Sequence, residues 1–140
     1  MANQPATRLH SQLDFGGTSA ASKRRGREVV RLHPQDAAAR GIAEGDIVRL
    51  HNARGACPAA AALSEAVMPG VVQLATGAWY DPEDPNDENP LCVHGNPNVL
   101  TRDMGTSRLA QGCTGQLTAL EVEKFTGNLP PVRAWDPPAG

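Results

Sequence analysis

A chain of 140 residues has room for one domain with a modest core, not for two independent ones. Its 13 basic and 15 acidic residues leave a formal net charge of -2, which excludes a global field drawing the protein to nucleic acid or an anionic membrane. With 40% hydrophobic but only 4% aromatic residues, the interior must be filled by Val, Leu, Ile and many Ala, which suits a small-residue barrel or sandwich.

The first notable stretch, "QPATRLHSQLD" from Gln4 to Asp14, sets Arg, His, Ser and Gln side by side without core-forming periodicity. Such a run of donors and acceptors either caps local backbone or faces a polar ligand. "FGGTSAASKRRGR" follows; its Gly, Ser and basic residues predict a mobile loop from Phe15 to Arg27. "VVRL" reads as a strand. Pro34 then suits a first helical turn, "QDAAAR" supplies helix formers, and Gly41 ends a helix over Pro34 to Arg40.

"AEGD" makes a turn, and "IVRLH" alternates with Val48 and Leu50 on one face. "NARG" reads as a hairpin loop. "ACPAAAAL" is divided between Ala, which favours helix, and the need for a hairpin partner; it is assigned as a strand, with Pro58 fitting only an edge or a bulge. "MPG" turns the chain into the strand "VVQLA". The longest apolar run, Ala59 to Leu63, is far below the roughly 20 residues of a membrane-crossing helix, and "MANQPATRLH" lacks the apolar centre of a secretory signal.

From Thr76 the texture changes. "TGAWYDPEDPNDENP" lacks the ligand alternation and central Gly of a calcium loop, so Asp81 to Asn89 reads as a solvated mobile segment. "HGNPNVLTRD" and "GTSRLAQGCTGQ" are polar and Gly-bearing, and "LTALEVEKF" is the last strand. The Pro-rich end, 127–140, reads as an extended or disordered tail beyond a domain of 1–126, with mobility expected from Leu129 to Gly140.

Cys57, Cys92 and Cys113 form no CxxC pair, and none adjoins a His or basic residue, so they read as small semi-buried thiols. No GxxxxGK[ST], GxGxxG or GxSxG occurs. A triad of Ser11, His10 or His94, and Asp81 exists only on paper, and no residue is assigned a catalytic or metal-binding role. His33 reads as a residue at the start of a helix, His51 as a strand cap, and His10 and His94 as open loop residues. "RLHSQ", "GAWYDP" and "HGNPNVLT…TSRLAQGCTGQ" together offer amides, hydroxyls, an Arg and Gly-opened backbone. That equipment suits holding a large polar cofactor and is poor for hydrolysis.

These segments, with "HPQDAAARGIAEGDIVRLHNARG" and "AVMPGVVQLATGAWYDP", resemble the C-terminal molybdopterin-dinucleotide-binding domain of the dimethyl sulfoxide reductase family of molybdenum enzymes. The resemblance runs from about Asn3 to Phe125. It is nearest to the biotin sulfoxide, dimethyl sulfoxide and trimethylamine N-oxide reductases. It implies a mainly β fold, a double-psi β-barrel of six main strands with short helices, and bis-molybdopterin guanine dinucleotide as cofactor. Position by position, it implies that Arg8, His10, Ser11 and Gln12 line the cofactor, joined by Asn98, Gln111 and Gly112, with Trp79 and Tyr80 near the pterin. Arg8, Ser11, Asn98, Gln111 and Gly112 are then expected on one face.

Two departures qualify the resemblance. Family members carry a hydrophobic strand before the "NQP" equivalent, so the chain reads as a fragment lacking its first strand. The serine that ligates molybdenum lies in an earlier domain of the family's long chain, so Ser11 is not that ligand. The expected partners are the upstream domains of a parent S-oxide or N-oxide reductase and the dinucleotide, with no nucleic acid or membrane, and the isolated chain is expected to be inactive. The prokaryotic compartment, cytoplasm or periplasm, is left open. The competing reading is a stand-alone double-psi barrel that acts as an adaptor without redox activity.

Overall fold

The computed structural model describes residues 1–102, 104–109, 111–112 and 117–137. Six strands form one mixed sheet: β1 Ala2–Asn3, β2 Val29–Leu32, β3 Ile47–Asn52, β4 Gly55–Leu63, β5 Val72–Ala75 and β6 Glu121–Lys124. Their order is β1-β5-β2-β4-β3-β6. The architecture is mainly β with short helices, as the sequence leads one to expect.

The best-patterned stretch forms its predicted elements. Val48 and Leu50 on β3 are fully buried, and β3 pairs antiparallel with β4 through the loop of "NARG". The helix α2, Pro34–Ala38, has Pro at its first turn, and the His33 ring accepts from Gln35 N–H at 3.2 Å. A turn completes it. Gly41, at φ +64°, lets the chain reverse so that Ile42 N–H bonds Ala37 O at 2.9 Å and Ile42 enters the core.

β4 is central, not an edge, and it resolves the ambiguity of the Ala run. From Ala56 to Ala61 every residue is buried, and β2 and β3 flank the strand on either side. Pro58 is tolerated there for a local reason. Ala56 O accepts from Cys92 N–H and Ala60 N–H donates to Glu28 O, so the backbone groups at this spacing point away from β3. The missing N–H of Pro58 falls where the outer neighbour changes from Cys92 to Glu28, and no ladder bond is lost.

Two segments read as mobile are structured. Gly17–Ser22 forms a helix, α1, with Ser19 buried, and Lys23 and Arg27 turn inward beyond it. Lys23 is met by the carboxylates of Asp14 and Glu28, and Arg27 donates to the carbonyls of Arg25 and Pro130, partners that a local reading of "SKRRGR" does not reveal. The tail is irregular but anchored: Arg27 donates to Pro130 O, and Arg133 N–H donates to Asp81 Oδ2 at 2.6 Å. Residues 138–140 and Cys113 lie outside the described residues.

Candidate functional site

The sheet brings the first two polar segments together. β1 runs parallel to β5 with Ala2 opposite Leu74 and Asn3 opposite Ala75, so residues after Asn3 leave the sheet beside those after Ala75. Thr76 N–H bonds Asn3 O at 2.8 Å at the point of exit. "RLHSQ" and "GAWYDP" therefore emerge side by side.

The tip of the first segment is a tight turn. Gln12 N–H donates to Leu9 O at 2.9 Å, with His10 at φ +54°. A non-glycine residue in the left-handed region costs on the order of 1 kcal/mol and persists only where its surroundings hold it. Here they do. The turn lies on Gly77, itself at φ +91°, and the Trp79 indole N–H donates to Ser11 O at 2.9 Å. Phe15 meets Trp79 edge-on at 5.6 Å. The side chains of His10, Ser11 and Gln12 are exposed on this fixed backbone.

Behind the turn lies a buried ionic cluster. Arg8 Nη2 meets Glu28 at 2.9 Å, Arg8 Nε meets Asp14 at 3.3 Å, and Lys23 Nζ meets Asp14 at 2.9 Å and also bonds Glu28. All four side chains are at most 6% exposed. Arg8 also donates to His10 O, Ser19 Oγ and Thr76 O, so its guanidinium is engaged inside the protein. Asp14 Oδ2 accepts from Trp79 N–H and from the Trp135 indole, each at 3.2 Å. Burial alone would raise the Asp14 carboxyl, but the hydrogen bond and charge of Lys23, with the donors of Trp79 and Trp135, hold it below the usual carboxylate range.

His94 completes the cluster, contrary to its expected place in an open loop. It is fully buried, and its Nδ1 lies 3.1 Å from Trp79 O. A carbonyl can only accept, so Nδ1 carries the proton and Nε2 keeps its lone pair, buried with no hydrogen-bond partner among the described residues. Burial, then the charge of Lys23, pushes the imidazole below its ordinary pKa.

The third segment is joined to the second through Val93 N–H on Asp81 O and through His94. Asn96 caps the 3₁₀ turn Pro97–Val99 by accepting from Asn98 N–H at 2.9 Å, and the Asn98 side chain is exposed. Gly112 and Thr106 exchange hydrogen bonds, and Gln111 lies over Gly105, where a Cβ would stand 1.6 Å from its amide oxygen. Among the described residues, Gln111 and Gly112 thus meet Gly105 and Thr106. Tyr80 is exposed beside Trp79. An apolar groove of about 860 Å³ between Met68, Val71 and Leu117 shares no residue with the polar segments.

The sequence reading missed Asp14, Lys23, Glu28 and Trp135 as parts of this arrangement. Asp14 carried a signal, since it closes the quoted polar run; the others gain meaning only from residues distant in the chain. The exposed set of imidazole, hydroxyl and amides on a locked turn can donate to and accept from a heterocycle or a pyrophosphate. That donor set fits a large polar nucleotide-like group. Arg8 fits as a brace for the turn more than as a direct phosphate partner.

The family described as "Molydopterin dinucleotide binding domain" matches residues 1–119. The chain is 50% identical over 136 residues to the trimethylamine-N-oxide reductase of Salmonella typhi, covering 96% of this chain and 16% of that protein. It is 48% identical over 128 residues to the biotin sulfoxide reductase of Cereibacter sphaeroides, covering 91% and 17%. Its fold matches part of acetylene hydratase from Pelobacter acetylenicus with a TM-score of 0.66 at 16% identity, over 89% of this chain and 18% of that one. The chain thus spans about one sixth of the length of the curated relatives it matches.

Proposed function

The chain belongs to the molydopterin dinucleotide binding domain family, and on that premise we propose that it holds the guanine dinucleotide end of a bis-molybdopterin cofactor in an S-oxide or N-oxide reductase. The observation that carries the reading is the turn at His10 and Ser11: a strained backbone, fixed by Gly77 and Trp79, with its polar side chains exposed. A fold maintains such strain where orientation of a ligand benefits from it.

In this reading His10, Ser11, Gln12 and Asn98 contact the cofactor directly, with Gln111 and Gly112 completing the contact. Trp79 holds the turn and Arg8 braces it. When bound, the cofactor supplies the redox chemistry of molybdenum; the residues of this chain bind and orient it. Reduction of the oxide then requires the remainder of the parent enzyme, which is the proposed partner.

Titration with guanosine diphosphate, followed by amide chemical shifts, tests the assignment. Perturbations are expected at Ser11, Asn98 and Gln111, with an affinity on the order of millimolar, or about 4 kcal/mol. Asn98→Ala should weaken the response. Shifts confined to the apolar groove, or none at the turn, would overturn the site. The 140-residue chain alone should not reduce a sulfoxide or an N-oxide above a no-protein control, because cofactor held from one side is neither oriented nor shielded.

A further inference from the structure

We propose that Trp135, carried by the segment 129–137, is a positioning residue acting on the His10–Ser11 turn through Asp14 and Trp79. The inference rests on the reading that this turn contacts the dinucleotide. The family match ends at residue 119, so nothing in it speaks for this segment.

The tail grips both sides of the Trp79 strand exit. On one side, Arg133 N–H donates to Asp81 Oδ2, and Arg133 Nη2 donates to Pro82 O at 3.2 Å and Glu83 O at 3.1 Å. On the other, the Trp135 indole donates to the same Asp14 oxygen that accepts from Trp79 N–H. The Trp135 ring stands edge-on to His94 at 5.2 Å, and Lys23 Nζ lies 5.7 Å from its centroid. The ring therefore covers the cluster from outside.

Trp79 is the link that transmits this. Its N–H is fixed by Asp14, its C=O by His94, and its indole N–H holds Ser11 O. With the Trp135 ring removed, water reaches Asp14, Lys23 and His94, and the ion pairs weaken as the local dielectric rises. Trp79 then loses its fixed backbone, and the turn loses its clamp.

Amide hydrogen exchange on the full 140-residue chain reads this directly, because the Gln12 amide closes the turn and the Trp79 amide sits on Asp14. In Trp135→Ala both should exchange about tenfold faster while amides of β3 and β4 keep their protection. Guanosine diphosphate binding should weaken about fivefold. Trp135→Phe keeps a ring but lacks the N–H, so it should restore part of the protection at Gln12 and less at Trp79.

Unchanged exchange at Gln12 and Trp79 in Trp135→Ala, or a rise shared equally by β3 and β4, would overturn the proposal. If Trp135→Ala does not fold, Trp135→Phe decides: faster exchange confined to Trp79 and Gln12 supports the clamp, and no change removes it. Should the unaltered chain fail to bind guanosine diphosphate while the exchange results hold, the ligand reading falls and the clamp stands.

Discussion

A Cβ on Gly77 would stand 2.1 Å from the carbonyl oxygen of His10 and 2.8 Å from the amide nitrogen of Ser11. Two loops distant in sequence thus meet backbone to backbone, leaving no room for a side chain at residue 77, whose φ is +91°. Gly77→Ala should lower stability by about 3 kcal/mol or more, since backbone must move as well as strain be borne. Gly45→Ala is the control. Gly45 has φ +81° but no atom within 4 Å of the added methyl, so only strain, about 1 kcal/mol, is expected. Urea unfolding of the two variants makes the comparison, and equal losses would refute the close approach.

Removing one charge from the cluster behind the turn leaves the others buried without balance. Asp14→Ala should therefore cost about 3–5 kcal/mol. The exposed pair of Arg49 and Glu123, at 3.1 Å across β3 and β6, gives the contrast: Glu123→Ala should change stability by less than about 1 kcal/mol. Thermal or urea denaturation measures both.

Acid should act on the same cluster in two stages. The folded-state pKa of His94, which faces Asp14, Lys23 and Glu28, is below its ordinary value. As pH falls through about 6.5 the unfolded chain takes up a proton that the native state refuses, so stability is full above that pH and declines below it. Asp14 is also depressed, so its contribution, present above about pH 4, is lost on further acidification. His94→Gln should flatten the urea midpoint between about pH 7 and pH 5 and leave the steeper acid limb in place. A wild-type midpoint that rises on acidification through this range would contradict the buried neutral imidazole.

Cys57 and Cys92 are both fully buried, and burial, reinforced by Cys92, raises the Cys57 thiol far above its usual range. Neither should be alkylated by iodoacetamide at pH 8 while the chain is folded, whereas both should react at once in urea. Peptide mass spectrometry after a timed quench distinguishes the sites. Rapid native labelling of Cys57 would show that β4 opens.

Much of the sheet could be read from local pattern, because β2, β3 and β5 are Val- and Leu-bearing runs and α2 carries a start signal in Pro34 and a stop signal in Gly41. Pro58 misled as to position. Its missing N–H suggested an edge, and only the change of neighbour from Cys92 to Glu28 makes a central place possible. The exposed half of the candidate site was legible: His10, Ser11 and Gln12 stand out as polar residues without periodicity. Its buried half was not, since Lys23 in "SKRRGR" looks solvated until Asp14 and Glu28 are brought to it. Trp135 was hidden for the same reason, its partner lying at the other end of the chain.

That separation, 121 residues between Trp135 and Asp14, orders the assembly in time. Within this chain the polar turn precedes every residue that fixes it, because Gly77, Trp79 and finally Trp135 must each be brought to it. Closing such distant contacts is the slow part of folding. A chain folded only as far as β5 therefore carries the His10–Ser11 turn without the contacts of Gly77, Trp79 and Trp135, and any surface that this turn presents is completed only when the segment around Trp135 docks.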